Sequence, residues 1–275
     1  MTPDTSPAAQ TTTQQGASHE DDRLRRSRSS DPRTIALQAE SAPLDPSETR
    51  EQLRGYAVIG VPFASGDVLA MRRFPASSIG PGYTSVWHRS PTGHWTIYQN
   101  QDPLVACPRA FGPAIDEATT TDIDLDWTAP DAFTMRIERP IRLIWQVTLT
   151  ATPVTKALSA IVTNTPTRVR RSRPFAAAAA RVAGVALGAG RLRLSGTVPS
   201  GQTFHADMRH VLIINDSRAT ISGRDLGPTA PLDEQLHLGD FWIPRRGLFA
   251  FGDGLFETYD PDRHHMAATR HEVAT

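Results

Sequence analysis

The sequence predicts an all-β fold, an antiparallel barrel carrying one or two short helices. Three observations lead there. Short runs of β-branched and aromatic residues recur at roughly ten-residue spacing with turn residues between them, the pattern of a sandwich or barrel. One stretch, Gly80 to Asn100, reads as a complete β-hairpin. The two helical stretches do not alternate with strands, so the chain lacks the βαβ rhythm of a parallel sheet.

Three regions follow from composition. Residues 1–52 are Thr, Ser, Gln, Pro and charge, too polar to offset chain entropy, and are expected to form a disordered arm. Residues 53–257 form the barrel domain, with a basic linker and helix at about 163–189. Residues 258–275 form a polar, loose tail.

Within the domain, Tyr56 to Val61 reads as a strand, Ser65-Gly66 as a turn and Val68 to Met71 as the returning strand. The hairpin comes next. Thr84 to His88 and His94 to Gln99 suit a pleated surface, and Ser90-Pro91-Thr92-Gly93 supplies a proline for a type I turn and a glycine free to take positive φ. Alternation puts Trp87, Trp95 and Ile97 on one face and His88, His94, Thr96 and Tyr98 on the other. Asp122 to Trp127 alternates strictly. Its three carboxylates stand roughly 6–7 Å apart along a single strand, which suits a solvated face better than a cation site. Phe133 to Glu138 and Ile141 to Thr150 form a second hairpin. Ile141, Leu143, Trp145, Val147 and Leu149 make the cleanest inward stripe of the chain.

Ala151 to Ile161 is a candidate helix. Residues 163–173 are a basic linker, and Phe175 to about Leu187 is an alanine-rich helix ended by Gly188-Ala189-Gly190. That helix suits the core, lying across a sheet or plugging a barrel end; as an interfacial helix its alanine face would give only a weak peripheral membrane contact. Strands resume at Arg191 to Val198, Gln202 to His205 and Val211 to Ile214, the last apolar on both faces and so central. Ala219 to Ser222 follows a turn at Asn215-Asp216-Ser217. Leu238 to Ile243, Leu248 to Phe251 and Leu255 to Thr258 close the fold.

Composition excludes several classes. Basic and acidic residues both number 29 in 275, so nothing points to nucleic acid as a partner. Cys107 is the only cysteine, which rules out an internal disulfide and makes the cytoplasm the expected compartment. No apolar run reaches the roughly 18–20 residues of a transmembrane helix. There is no Walker loop, dinucleotide fingerprint, His-Glu-x-x-His or Gly-x-Ser-x-Gly, and no cofactor is expected.

The runs Ser85 to Trp95, Trp145 to Pro153 and Gly190 to Gly196 are similar in texture to lipocalin-like (calycin) proteins of the AttH and carotenoid 1,2-hydratase kind. That resemblance implies an antiparallel barrel around an apolar ligand cavity. It carries over no catalytic residue.

Site candidates come from chemistry. His88 and His94 share a face and could serve one substrate as acid or base; a metal would need a third ligand that the sequence does not nominate, so no metal site is assigned. Trp87, Trp95, Tyr98, Trp145 and Trp242 are core or cavity rings. Asp240, Trp242 and Arg245 would put charge at the barrel mouth. Cys107, with Pro108 beside it and no neighbouring histidine, suits a buried thiol better than a nucleophile. The expected function is binding of a small hydrophobic metabolite. The alternative is an enzyme on the same barrel that hydrates, isomerises or cyclises an isoprenoid- or polyketide-like substrate.

Overall fold

A computed structural model describes residues 31–266. A short helix, α1 (Pro32–Ser41), precedes β1 (Glu51–Pro62), β2 (Val68–Ser77), β3 (Tyr83–Arg89) and β4 (Trp95–Gln99). A crossover with two 3₁₀ turns around α2 (Pro108–Phe111) leads to β5 (Glu117–Thr120). Then come β6 (Asp124–Ala129), β7 (Ala132–Ile137) and β8 (Leu143–Thr150), and a helical segment of α3 (Pro153–Asn164), α4 (Thr167–Arg170) and α5 (Arg173–Ala186). The chain closes with β9 (Ser195–Thr197), the long β10 (Thr203–Ile221), β11 (Arg224–Asp225), a small hairpin β12 (His237–Leu238) and β13 (Phe241–Trp242), and β14 (Leu248–Phe256).

Twelve strands form one sheet in the order β5-β4-β3-β2-β1-β14-β10-β8-β7-β6, with β9 and β11 also pairing on β10. The sheet curls. The rings of Tyr56 on β1 and Trp127 on β6 lie 6.3 Å apart, although five strand spacings of a flat sheet would separate them by roughly 24 Å. Curling brings Val86 and Tyr98 at one end into the same core as Met135, Trp145 and Val147 at the other. The result is an open half-barrel.

The expected barrel is thereby corrected in two respects. It is not purely antiparallel: Thr96 to Gln99 of β4 pair in parallel with Glu117 to Thr120 of β5. The intervening crossover is long enough to return the chain in the same direction, which a tight turn cannot do. Nor do the end strands, β5 and β6, pair with one another to close it.

Other expectations hold or shift for identifiable reasons. The hairpin forms with Trp87 opposite Ile97 and Val86 opposite Tyr98, closed by Ser90 N–H to the His94 carbonyl at 2.9 Å. The β8 stripe is buried as expected. The expected turn at Asn215-Asp216-Ser217 is instead a β-bulge within β10, where the register slips between Ile214 and Asp216. Part of the arm expected to be disordered is helical. Asp31 caps α1 by accepting from Thr34 N–H at 2.8 Å, and Ala36 is fully buried with Ile35 and Ala39 packed beside it. Residues 1–30 lie outside the described residues. The basic linker includes one helical turn, α4, whose Arg170 is buried against Asp207. In the tail, His264 is buried and its Nδ1 accepts from Asp260 N–H at 2.9 Å; residues 267–275 lie outside the described residues.

Candidate functional site

The two faces of the sheet differ in side-chain size. One carries the large core residues, Tyr56, Val58, Phe249 and Phe251 among them. On the other, strand alternation lines up Gly55 and Ala57 of β1, Ala250, Gly252 and Gly254 of β14, and Ala206 of β10. Residues this small cannot fill the space beneath a covering layer. They leave a trough of about 410 Å³, within the ordinary size range of small-molecule pockets.

Helices and loops cover the trough. Leu158, Ile161 and Val162 of α3, Phe175, Ala179 and Val182 of α5, and Phe111, Phe241 and Trp242 contribute its other walls. The cover is positioned by sequence features. Ser172 caps α5, and its buried stripe Ala176, Ala180, Gly184 lets the helix lie close to its neighbours. A Cβ on Gly184 would overlap the Gly190 carbonyl oxygen. Between the two long helices, Arg170 and Arg171 of the α4 region reach Asp207 on β10, and Arg54, Arg171 and Arg209 reach Asp253 on β14. Asp207 and Asp253 face each other across the strands and are both buried, so the arginines are needed to hold like charges together. Burial pushes the Asp207 carboxyl up, but the Arg170 and Arg171 guanidinium groups outweigh it and keep the group ionised below its ordinary range.

One charged side chain lines the trough without a countercharge. Arg72 of β2 shares the face of Val68 and Ala70 and is 5% exposed. Its Nη1 donates to the carbonyls of Val58 at 2.5 Å and Met71 at 2.8 Å. Its guanidinium lies 4.7 Å from the ring centre of Trp87 and 5.2 Å from that of Phe241. Its Nη2 has no hydrogen-bond partner, and among the described residues no carboxylate lies within ion-pair reach. Burial lowers its pKa to about 10, which leaves it charged at neutral pH.

Beside it runs a short polar chain. Trp87 Nε1 donates to Ser85 Oγ at 3.2 Å, Ser85 Oγ lies 3.3 Å from Cys107 Sγ, and Cys107 Sγ lies 3.4 Å from the Tyr83 hydroxyl. Cys107 and Tyr83 line the trough, and burial pushes the Tyr83 phenol well above its ordinary range. Glu51 also lies at this end, but its carboxylate is taken by Arg109 at 2.7 Å, Gln202 at 3.1 Å and Tyr259 N–H at 3.0 Å.

Of the residues singled out in the sequence, Trp242 lines the trough. Trp87 and Trp95 pack in the layer behind it, and Trp87 carries Arg72 on its ring. Tyr98 and Trp145 lie on the opposite face of the sheet, in the main core. His88 Nε2 donates to the buried Asp67 carboxylate at 2.7 Å, on that same opposite face. His94 stands half-exposed at the turn, 3.7 Å from Asp116, so the two histidines are not brought together. Asp240 pairs with Arg193 at 2.5 Å, and Arg245 is exposed. Arg72 was not singled out. Its signal was parity: it is a charged residue on the alternation of Val68 and Ala70.

Fold and cavity together define a curled β-sheet protein with an apolar, helix-covered trough lined by a buried cation, Arg72, that has no countercharge among the described residues. No family model matches the chain, and no curated protein does. Among solved structures it is similar to an acetoacetate decarboxylase from Legionella pneumophila, at 11% identity and a TM-score of 0.37, over 82% of this chain and 93% of that one.

Proposed function

We propose that the protein binds a small amphiphilic organic acid, with its carboxylate on Arg72 and its apolar body along the glycine and alanine floor. Arg72 carries the reading. A buried guanidinium without a countercharge is costly, and a planar bidentate anion is the partner its geometry fits. The apolar walls suit a hydrocarbon or isoprenoid-like body. This keeps, from the lipocalin-like expectation, a hydrophobic metabolite in a cavity, and adds a charge requirement. A single cysteine, buried and unpaired, suits a reducing compartment such as the cytoplasm.

The test is a binding series: octanoate, decanoate and dodecanoate against the corresponding alcohols, followed by tryptophan fluorescence, since Trp87 touches Arg72. Acids should bind at least about tenfold more tightly than alcohols, because a charge-assisted hydrogen bond is worth about 1.5–3 kcal/mol. Equal affinity for acids and alcohols would refute the reading.

A second reading, an enzyme on the same scaffold, is favoured by the thiol of Cys107 and the phenol of Tyr83 beside the same cation. It predicts that Cys107→Ser retains acid binding and loses turnover. Imine chemistry on a lysine has no candidate in the trough: Lys156, the sole lysine, is exposed on α3.

A further inference from the structure

The helical segment that covers the trough has an outer surface of its own. Among the described residues seven large apolar side chains are exposed, and five of them, Val154, Ile161, Val169, Val182 and Val185, lie between residues 153 and 186; Leu37 and Leu104 stand apart. Val185 is 82% exposed, Ile161 60% and Val182 54%. They are ordered into stripes. Val154 and Ile161 are two turns apart on α3, and Val182 and Val185 are neighbours on α5. Isolated exposed valines need no explanation, but a cluster on one short segment does.

The same segment has charge of one sign. No Asp or Glu occurs between Glu138 and Asp207, although the whole chain is balanced at 29 basic and 29 acidic residues. Arg170 and Arg171 turn inward onto Asp207 and Glu48. Lys156, Arg168, Arg173 and Arg181 are exposed. No ion pair holds any of these four among the described residues.

Position links this surface to the trough. Ile161 and Val182 line the cavity, yet each is more than half exposed. Residues with both properties mark its mouth. Two exposed apolar side chains thus stand at the mouth, on the segment that carries the four exposed cations.

We infer that the segment 153–186 docks on an anionic phospholipid surface, with the mouth of the trough facing the bilayer. The valines and isoleucine enter the headgroup boundary, and the lysine and arginines meet the lipid phosphates. Charge selects this occupant over a second copy of the chain: two such faces would set cation against cation. An alanine face alone would hold weakly, and the exposed valines and isoleucine add the missing apolar area. Docking would let an amphiphilic acid pass between bilayer and trough without crossing water. The identity of that cargo rests on the function proposed above; the docking does not.

The experiment is co-sedimentation of the full chain with large unilamellar vesicles, of mixed phosphatidylglycerol and phosphatidylcholine or of phosphatidylcholine alone. The chain should partition onto the mixed vesicles at least tenfold more strongly than onto phosphatidylcholine, and added salt should weaken it. Arg181→Glu combined with Val185→Glu, both exposed and outside the cavity lining, should reduce that partition tenfold or more. Circular dichroism and octanoate binding in vesicle-free solution should stay unchanged. Four results would overturn the inference: no partition at low salt, equal partition onto both compositions, partition indifferent to the double variant, or a dimer that the double variant breaks. Octanoate binding without vesicles tests the trough alone. Failure there with vesicle binding intact would remove the cargo and leave the docking.

Discussion

Replacing Arg72 by methionine separates stability from function. Methionine keeps the apolar stem of arginine and removes its charge. The fall of the guanidinium pKa from its ordinary value to about 10 corresponds to a penalty of about 3 kcal/mol on the charged form. That penalty is fully present at neutral pH, because the group carries its proton there in both folded and unfolded chains. It would fade only as pH rises beyond about 10. Against it stand the contacts the variant loses. The Val58 and Met71 carbonyls lose a donor, about 1 kcal/mol, and the Trp87 and Phe241 faces lose a cation, about 1–2 kcal/mol. The expected result is a fold that is unchanged or up to about 1 kcal/mol more stable, as when buried charges give way to apolar side chains. At about 2–4 °C per kcal/mol, the melting midpoint should hold or rise by up to about 4 °C. Octanoate binding should fall at least tenfold in the same variant. Calorimetry and fluorescence titration on one preparation read both. A loss of more than about 2 kcal/mol would refute the reasoning, since it would mean the native protein already neutralises Arg72.

Two further outcomes test the fold around the site. Asp67 is fully buried and accepts from His88 at 2.7 Å and from both Arg224 Nη atoms at 2.9 and 3.0 Å. Burial works to raise its carboxyl, but the bonds from Arg224 and His88 prevail and hold it at about 2. Its stabilisation is therefore complete above the ordinary carboxylate value near 3.8 and is lost as pH falls toward 2. Asp67→Asn should cost about 3 kcal/mol by urea titration at neutral pH, with the gap to wild type closing below pH about 4; a gap unchanged by pH would contradict it. Deleting residues 1–42 removes α1, uncovers the main core beside Ala36 and takes Glu40 from the Tyr56 hydroxyl, bonded at 2.6 Å. The expected loss is about 3 kcal/mol, seen as a melting midpoint lower by roughly 6–12 °C. A shift under about 2 °C would show α1 to be dispensable.

Local pattern made much of this fold legible. The β8 stripe could be read because its partner face is solvated, so burial and alternation coincide. The 84–99 hairpin could be read because Gly93 takes φ 94° where a turn demands it. Which of its faces meets the trough could not be read, because the curled sheet buries both: Trp87 is in one layer and Tyr98 in the other. The parallel β4–β5 pair depends on which free edge a crossover reaches, a tertiary choice with no local signal. The bulge in β10 borrows turn residues, Asn215 and Asp216, for a strand that continues. Arg72 escaped attention because motif reasoning looks for groups of polar residues, whereas its force comes from standing alone.

The glycines on the trough floor are not equivalent. A Cβ on Gly55 would overlap the Arg73 carbonyl oxygen, and one on Gly252 would overlap that of Asp207; neither position can accept a side chain without moving backbone. Gly254 differs. Its Cβ would approach only the Phe256 ring at 3.4 Å and Leu53 at 3.9 Å, ordinary contact distances. The width of the trough is therefore set rigidly by the chain at two points and adjustably at a third. Alanine or a longer side chain at Gly254 would shorten the longest occupant admitted while leaving strand register alone. A lineage carrying this sheet could thus retune the size of its cargo by single codon changes, independently of the arginine that recognises its head.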